Sequence, residues 1–574
     1  MFKPAYYSRI LKTLIVLEIC MVALIARLFL VQYVQRESHL VNLWITNPKA
    51  QVKRGKIVDR HRNVFAIHQD LVSVVADPKV MKKTPHEVAG KLAPLLKTSA
   101  SKLLPELRKK DKEYVVLARN LDYSLLKELR GITKDIYGLD YEVGGKRQYP
   151  RDELGCHIVG YTDFQSRGIE GIEHQHNSHL SPKILVSKPD ASDADDSASA
   201  ISHLRPDPAA YGHNVVLTID ESIQYIAEKE LIAGCKKWRA LSGSVIVMHS
   251  KSGEILAMAN YPNYDPNQYS RSQELSKRNL SIWAQYEPGS VFKIVTAAAA
   301  INENIMTADS EVYCEMGKFR LPNGHVINDI KPNAWLTLTE VIQKSSNIGI
   351  LKIASRLGKE RLEDYTRRFG FGQKTGIDLP FEQDGSLRGF RKWDGYSMAT
   401  VPFGQGISGT AIQMLNAMNA IATGGMLLQP YVTQQILDKD GRQLKRFHLT
   451  KMRRVISPET AEIITDMLVK VTELGGGFHA RVGGYRVAGK TGTAQKAEKG
   501  RGYVDGKVIT SFAGFLPAED PLISIIVVVD EPAGAPLSSR VAAPIFREIA
   551  NPVMRYLTQK DLFAQRNTNG YDTN

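Results

Sequence analysis

The sequence predicts an α+β protein with a single N-terminal transmembrane helix, a mixed α/β pedestal domain and a larger C-terminal α+β domain. Three observations lead to this prediction. A largely apolar segment spans 14–34, strand-like patterns cluster at 243–260 and again at 485–532, and mostly helical patterns separate these clusters. We therefore expect the larger domain to hold an antiparallel sheet of about five strands, discontinuous in sequence, with a helical insert.

The domain boundaries follow shifts in composition along the chain. A segment rich in Ser, Asp, Ala and Pro precedes the larger domain and is expected to be a flexible linker or long loop. The predicted units are a short cytoplasmic tail at 1–13, a transmembrane helix at 14–34, the pedestal at 35–180, the linker at 181–211, the larger domain at 212–558 and a polar tail at 559–574.

Charge and cysteine content limit the classes of partner. The net charge of +15 suits an anionic membrane surface or an acidic polymer. Nucleic acid is the weakest of the alternatives, because the sequence has no zinc-finger spacing and no basic run interleaved with aromatics. The four cysteines contain no C-x-x-C pair, so they predict neither a disulfide framework nor a metal site.

The N-terminal segment from Leu14 to Val34 is long enough to cross a bilayer as a helix. Lys3, Arg9 and Lys12 precede it and no acid occurs among the first twelve residues, which keeps this end cytoplasmic. A cleaved signal peptide is the competing interpretation, and the lack of an A-x-A site after the span argues against it. We expect a single-pass protein of the cell's inner (cytoplasmic) membrane whose larger domain is extracytoplasmic.

Two charged residues, Glu18 and Arg27, interrupt the apolar span. A separation of nine residues, at about 100° per residue, puts them on opposite helix faces, so they do not pair with each other. Either each side chain snorkels to the nearer interface or each contacts another membrane helix, and the sequence leaves both alternatives open.

The pedestal sequence contains both strand-like and helical patterns. A strand-like pattern covers 72–78 and a Lys- and Leu-rich helical pattern lies near 96–110. The stretches at 54–60 and 168–173 indicate turns and surface ion pairs without evident chemistry.

The larger domain has clearer periodicity. Its helix signals include Ser457-Pro458-Glu459, which combines a hydroxyl cap with proline at the first helical position. The strand candidates are 214–220, the two halves of a hairpin at 243–260, 485–496, 509–517 and 523–532, and the helix candidates are 222–236, 457–474 and 542–557.

The first chemical motif is Ser290-Val291-Phe292-Lys293, which follows a Pro-Gly turn and opens an apolar helix. In the first turn of a helix, free backbone N–H groups and the positive dipole end favour a developing oxyanion at Ser290. Lys293 lies on the same face, and helical side chains lean toward the N-terminus, so its amine can reach the serine hydroxyl. Burial favours the neutral amine, which can accept the serine proton. The motif alone is weak, because chance matches occur in a chain of this length.

The second motif is Ser345-Ser346-Asn347, between two apolar helical stretches. Its position suits either a cap between two helices or part of a cleft wall, and the motif alone does not decide between them. In the functional interpretation Ser345 relays a proton and Asn347 holds a substrate amide.

The third motif is Lys490-Thr491-Gly492-Thr493, on a predicted strand. Glycine within a strand often marks the close approach of another group, although a strand end with a bulge gives the same pattern. A substrate lying along such an edge would add as an extra strand, and Lys490 would supply a permanent positive charge for a carboxylate.

Together the three motifs resemble a known family. Ser-x-x-Lys, Ser-x-Asn and Lys-Thr-Gly, in this order in one α+β domain, are the signature of penicillin-binding proteins and serine β-lactamases. Over about 50–180 and 212–550 the chain is similar to the class B penicillin-binding proteins, most of all to the division-specific FtsI type, in which the pedestal is a dimerisation-like domain. The Ser/Asp/Ala-rich segment at 181–210 departs from the Gly- and Arg-bearing connector usual in that family. The stretches that carry the likeness are RGKIVDR, GIEGIE, NVVLTID, GEILAMANYPNYDPN, YEPGSVFK, QKSSNIGI, RFGFGQKTGIDLP and GKTGTAQK.

The resemblance implies a peptidoglycan D,D-transpeptidase that β-lactams acylate and that needs neither a metal nor an organic cofactor. Ser290 would attack the penultimate D-alanine carbonyl of a D-Ala-D-Ala stem peptide, with Lys293 as base. Ser345 would shuttle protons and Asn347 would orient the peptide.

The third motif takes the substrate-binding roles in this resemblance. The terminal carboxylate of the stem peptide would lie near Lys490 and the adjoining residues Thr491, Gly492 and Thr493. Backbone N–H groups of Ser290 and Thr493 would hold the oxyanion, and such donors are worth ~3–4 kcal/mol each in other enzymes.

Other functions stay open at this stage. The same motifs suit a hydrolase, either a D,D-carboxypeptidase or a β-lactamase, as well as an elongation-type transpeptidase. A β-lactam sensor or a divisome scaffold acting through 35–180 is the non-enzymatic alternative. No glycosyltransferase motif occurs in 35–210, so the resemblance implies a separate membrane glycan polymerase of the FtsW type, together with other divisome proteins, as partners in septal wall synthesis.

Overall fold

The computed structural model describes residues 53–182, 211–498, 502–534 and 537–569, together with six positions between 17 and 27. Most of the predicted transmembrane helix at 14–34 and most of the predicted linker at 181–211 lie outside the described residues. Within the described ranges, no helix combines the length and the apolar character needed to cross a membrane. The anchor and the linker therefore stay predictions.

The pedestal is a small sheet covered by helices. Strand β2 is its central strand and pairs antiparallel with β3 and with β4, while helices α1 to α3 bury their apolar residues against it. The elements are β1 (Ile57–Val58), β2 (Val64–Ala76), α1 (Pro85–Leu95), α2 (Ala100–Leu107), β3 (Val115–Asp122), α3 (Leu126–Lys134), β4 (Leu139–Gln148), α4 (Cys156–Val159), α5 (Gly171–Gln175) and α6 (Asn177–Leu180).

The two pedestal elements expected from the sequence are both present with different bounds. The strand expected at 72–78 is the second half of β2. The helical pattern near 96–110 contains the whole of α2, whereas α1 ends just before it at Leu95, and Lys97, with a positive φ of 48°, lies between the two helices.

The sequence predicted surface ion pairs at 54–60 and 168–173. This prediction is wrong for Arg54 and Glu173, which form a buried ion pair. Arg54 and Arg147 both donate to the carboxylate of Glu173, over 2.6 Å and 2.5 Å, and all three side chains are buried. A buried carboxylate is tolerable only when it is paired and hydrogen-bonded, and the two guanidinium groups hold the pKa of Glu173 below its ordinary value. This ion triad joins three separate pedestal segments.

The larger domain contains the remaining elements. They are β5 (Asn214–Leu217), α7 (Glu221–Lys237), β6 (Ser242–His249), β7 (Ile255–Tyr261), α8 (Glu274–Lys277), α9 (Leu280–Trp283), α10 (Lys293–Asn302), β8 (Glu311–Tyr313), β9 (Lys318–Arg320), β10 (Val326–Asn328), β11 (Trp335–Thr337), α11 (Leu338–Lys344), α12 (Asn347–Leu357), α13 (Lys359–Arg368), α14 (Gly395–Thr400), α15 (Ala411–Ala422), β12 (Met426–Gln429), β13 (Thr433–Leu437), β14 (Gln443–Arg446), β15 (Thr450–Arg454), α16 (Pro458–Leu474), β16 (Ala488–Glu498), β17 (Gly502–Leu516), β18 (Ile523–Asp530) and α17 (Ala542–Asn569).

The expected five-stranded antiparallel sheet is present, in the order β16-β17-β18-β6-β7. Its strands are apolar on both faces because helices cover both. Val245 and Val247 pack toward α7 and α17, whereas Ile246 and Met248 pack toward the helical insert, as the two-residue period of a strand requires. In the described part of the sheet β16 is an edge strand, so the third motif lies on an open border.

The strand at 214–220 belongs to a different sheet. Strand β5 pairs parallel with β1 of the pedestal and antiparallel with β13, within a seven-stranded sheet of order β14-β13-β5-β1-β2-β3, with β4 also on β2. The pedestal and the larger domain are thus joined by a continuous sheet rather than by the linker alone.

Candidate active site

The nucleophile candidate Ser290 lies on a tight turn. Gly289–Phe292 forms a single 3₁₀ turn that runs directly into helix α10, whose residues are almost all buried. Gly289 has a positive φ of 55°, and its N–H donates to the carbonyl of Gly404 over 3.1 Å. Ser290 itself is half-buried and faces a cleft, so the turn presents its hydroxyl to solvent at the start of a buried helix.

Lys293 is fully buried, and its amine points at the second motif. Its nitrogen Nζ lies 2.6 Å from the carbonyl oxygen of Ser345, 2.8 Å from Oδ1 of Asn347 and 3.2 Å from Oγ of Ser345. Burial, and then the neighbouring Lys490, lower the pKa of Lys293 well below its usual value, while Asp329 opposes this shift. The neutral amine that the sequence analysis requires is therefore favoured.

The second motif forms the corner between two helices. Ser345 ends α11 in the left-handed conformation, with a φ of 59°, and Ser346 begins α12 by accepting from the N–H of Gly349 over 2.9 Å. The two interpretations of this motif are thus both present, since Ser346 is the cap while Ser345 and Asn347 line the cleft.

Lys490 approaches the same corner from strand β16. Its Nζ lies 3.0 Å from Oγ of Ser345 and 3.1 Å from the carbonyl oxygen of Thr491, and the side chain is fully buried. Burial lowers the pKa of Lys490 to about 7. Burial thus opposes the permanent positive charge expected of Lys490, and that expectation stays a prediction.

Gly492 brings strand β16 against the nucleophile turn. A Cβ at this position would lie 2.6 Å from Cγ2 of Val291, 2.6 Å from Oγ of Ser511 and 3.0 Å from the carbonyl oxygen of Pro288. No side chain fits there, so glycine at 492 sets the separation between the strand and the turn that carries Ser290. Its role in the structure is close approach, and no bulge is needed to explain it.

The motifs meet along a cleft of about 980 Å³. Ser290, Ser345, Asn347, Thr491 and Thr493 line it. The remaining predicted residues, Lys293, Lys490 and Gly492, are buried just behind this lining. All eight residues that the sequence singled out thus surround one site.

Asp329, which belongs to none of the three sequence motifs, organises the second motif. Its Oδ1 accepts from the backbone N–H of Asn347 over 2.6 Å and of Ile348 over 3.1 Å, and its Oδ2 accepts from the hydroxyl of Ser346 over 2.5 Å. A carboxylate at a helix N-terminus is favoured by the helix dipole. The available signal was weak, because Asp329 lies in an irregular segment far from the helix that it caps.

A second group outside these motifs ties the nucleophile turn to the opposite side of the cleft. The carboxylate of Glu287 accepts from the hydroxyl of Tyr503 over 3.0 Å and from the N–H of Gly406 over 2.9 Å. Burial raises the pKa of Glu287. Glu287 directly precedes the Pro288-Gly289 turn, so it fixes the start of this turn against strand β17.

Comparison with known proteins gives a consistent result. The family model of the penicillin-binding protein transpeptidase domain matches residues 243–551, and that of the penicillin-binding protein dimerisation domain matches 49–217. Stage V sporulation protein D of Bacillus subtilis is 33% identical over 91% of this chain and 82% of its own length. The chain belongs to the class B penicillin-binding proteins.

As a class B penicillin-binding protein, the chain carries a transpeptidase domain of the serine acyltransferase type. Peptidoglycan D,D-transpeptidase FtsI of Escherichia coli is 29% identical over 88% of this chain and 84% of its own length. The crystal structure of penicillin-binding protein 3 from Mycobacterium tuberculosis complexed with aztreonam superposes with a TM-score of 0.69 at 28% identity, covering 89% of this chain and 97% of that one. Both domains of this class B penicillin-binding protein are therefore represented among its relatives.

Proposed function

We propose that this chain is the peptidoglycan D,D-transpeptidase that cross-links stem peptides during septal wall synthesis, with Ser290 as the nucleophile. The observation that carries the proposal is the arrangement of two buried lysines around Ser345 beside Ser290. The likeness to the transpeptidase FtsI supports the septal assignment.

The hydrogen bonds around Lys293 suit a neutral base. A neutral amine has two N–H groups and one lone pair, and the two carbonyl-type oxygens of Ser345 and Asn347 occupy two donors at 2.6 Å and 2.8 Å. The lone pair is then free to accept a proton from a hydroxyl. A chain of hydrogen bonds from Lys490 through the hydroxyl of Ser345 to Lys293 can resupply or remove that proton.

In the proposed reaction Ser290 Oγ bonds to the carbonyl carbon of the penultimate D-alanine and its proton passes to Lys293. The bond to the terminal D-alanine nitrogen then breaks, and this leaving amine takes the proton back through Ser345. An amine of a second stem peptide attacks the resulting ester, forms the new amide and returns the serine oxygen as a hydroxyl. Every step uses side chains of this site.

The third motif is proposed to bind the donor. The terminal carboxylate contacts Lys490, Thr491 and Thr493, and its charge raises the pKa of Lys490 above the value of about 7 that burial alone gives. The hydroxyl of Thr493 lies 3.2 Å from that of Ser538, so this side chain is held in position beside the open border of β16. We further propose that β-lactams acylate Ser290, in line with the aztreonam and ampicillin complexes of penicillin-binding protein 3 from Mycobacterium tuberculosis.

The proposed location is the inner membrane. A single helix at 14–34 would anchor the chain with its domains outside the cytoplasm, and a membrane glycan polymerase of the FtsW type would supply the glycan strands. Charge reversal at Glu18 or Arg27 tests whether these residues contact a membrane partner. Reduced co-purification of the polymerase supports contact, and unchanged co-purification supports snorkelling.

The decisive experiment for the activity is labelling of the full chain with a fluorescent penicillin, followed by mass spectrometry of the tagged peptide. We expect the adduct on Ser290, its loss in Ser290→Ala and its retention in the control Ser539→Ala, which alters another serine of the cleft lining. Removal of a serine nucleophile costs ~10⁶ in turnover in other enzymes. A stable adduct in Ser290→Ala refutes the proposal.

A further inference from the structure

The described lining of the cleft contains basic side chains and no acidic ones. Among the described residues that line it, the ionisable groups other than tyrosines are His325, Lys331 and Lys344, and none is Asp or Glu. All three residues are exposed, so the ammonium groups of Lys331 and Lys344 reach the solvent of the cleft. A cleft lined by one sign of charge concentrates ligands of the opposite sign.

The basic residues share one wall of the cleft. His325 directly precedes β10, Lys331 lies in the segment that follows β10, and Lys344 ends helix α11 next to Ser345. The amide of Asn347 donates to the carbonyl of Asn328 over 2.9 Å, which ties this wall to the second motif. We call the surface of His325, Lys331 and Lys344 the basic wall.

The nearby carboxylates are engaged elsewhere. Asp329 accepts three hydrogen bonds at the start of α12, and Glu287 accepts from Tyr503 and Gly406. Lys344 contacts the carboxylate of Glu340 over 2.9 Å, and both side chains are substantially exposed. An exposed pair of this kind is weak and leaves Lys344 able to bind a second anion.

We propose that the basic wall binds a second carboxylate of the donor stem peptide, separate from the terminal D-alanine carboxylate assigned to Lys490. This inference rests on the proposed function. The donor would extend from Ser290 past Asn347, and the peptide residues upstream of the two D-alanines would then run along the basic wall. A carboxylate there has two chemical sources: the free carboxyl group of a γ-linked glutamate and the carboxyl group of the diamino acid.

The test uses four synthetic donor peptides in which each of these two carboxylates is free or amidated. The terminal D-alanine is replaced by D-thiolactate, so that turnover releases a thiol and the terminal carboxylate is kept. The full chain in detergent is assayed as wild type, Lys331→Gln, Lys344→Gln and the double variant. Lys318→Gln is the matched control, because Lys318 is exposed on β9, the partner strand of β10, but does not line the cleft.

We expect wild type to turn over a free-carboxylate donor about fivefold faster in kcat/KM than its amidated form, the size of a favourable exposed ion pair. The double variant should bring this ratio close to one, and added salt should reduce it in wild type. Lys318→Gln should keep the ratio. If amidating the glutamate carboxylate lowers kcat/KM in wild type, the glutamate is the group bound by the basic wall. If amidating the carboxylate of the diamino acid does so, the diamino acid is that group.

Equal turnover of all four donors by wild type overturns the inference. It is also overturned if the ratio survives in the double variant, or if Lys318→Gln changes it equally, since the net charge of the chain would then be the cause. Penicillin labelling of the same preparations separates the two proposals. Labelling of Ser290 with an unchanged ratio refutes only the basic wall, whereas loss of labelling in wild type refutes the proposed function itself.

Discussion

Lys293 and Lys490 meet at one hydroxyl, because Oγ of Ser345 lies 3.2 Å from Nζ of the first and 3.0 Å from Nζ of the second. Both side chains are fully buried. Two ammonium groups this close at a buried site repel each other, which favours a neutral form for at least one of the two amines. Burial lowers the pKa of Lys293, and the nearby Lys490 lowers it further. We therefore assign the role of base to Lys293 and the role of carboxylate binding to Lys490.

Arginine substitutions distinguish these roles. Lys293→Arg keeps a cation that does not deprotonate in a protein, so we expect it to lose acylation nearly as fully as Lys293→Ala. Lys490→Arg keeps a positive charge for the donor carboxylate and should retain partial activity, limited by the larger guanidinium. The measurement is the second-order acylation rate with one penicillin from pH 6 to 10. Near-wild-type acylation by Lys293→Arg would remove Lys293 as the base and leave Ser345 or a water as the next candidate.

The buried Lys490 predicts a specific dependence of stability on pH. Its pKa is about 7 in the folded chain against an ordinary value of 10.5, so below pH 7 it is protonated in both the folded and unfolded states and contributes no slope. Between about 7 and 10.5 the unfolded chain binds more protons, so the contribution of this group to stability rises with pH.

Lys490→Met removes the titrating group at similar volume. We expect its thermal midpoint to exceed that of wild type at pH 7 and this advantage to shrink steadily toward pH 10. Comparing the two proteins at each pH cancels the titration of shared groups that lie far from Lys490, whereas the pKa of Lys293 should rise in the variant because Lys490 no longer lowers it. A constant difference across this range would contradict the lowered pKa of Lys490.

Gly492→Ala tests the close contact between strand β16 and the nucleophile turn. The added Cβ would lie 2.6 Å from Cγ2 of Val291, so either the strand or the turn must move. We expect penicillin acylation to fall at least about a hundredfold, since small misplacements of reacting groups carry costs of this size. Gly483→Ala is the control, because a Cβ there meets no atom within 4 Å. Acylation at the wild-type rate in Gly492→Ala would show that the contact relaxes without moving Ser290.

The sequence predicted the five-stranded sheet because its evidence is local. Strands of alternating or fully apolar character and a hairpin turn are visible in short windows, and the three motifs fix which windows border the site. The pairing of β5 with β1 was not visible, since these strands are separated by more than 150 residues and nothing in either one specifies its partner.

The site was predictable to the extent that its residues lie in motifs. Asp329 belongs to no motif and acts through backbone N–H groups of Asn347 and Ile348, which carry no sequence signal. The lowered pKa of Lys490 was also out of reach, because it depends on burial that only the packed structure defines. Sequence patterns thus did not predict contacts between residues far apart in the chain, nor the pKa shifts that desolvation of buried groups causes.

Asp329→Asn is expected to weaken both the helix corner and the base. The amide keeps one oxygen for the N–H groups of Asn347 and Ile348, but its nitrogen cannot accept from the hydroxyl of Ser346. Loss of a charged cap should cost about 1–2 kcal/mol of stability, and the displaced corner should slow acylation about tenfold. The control is Asp309→Asn, which removes an exposed acid elsewhere in the same domain.

The pH profile of Asp329→Asn separates positioning from general destabilisation. Asp329 raises the pKa of Lys293 against the effects of burial and Lys490, so removing its charge should lower that pKa further. If Lys293 must be neutral to accept the serine proton, the acid limb of the acylation profile should move to lower pH even though the maximal rate falls. A merely structural role for Asp329 would reduce the rate and the thermal midpoint with the limb unmoved. That result would mean that Asp329 acts only by capping helix α12 and does not influence the pKa of Lys293.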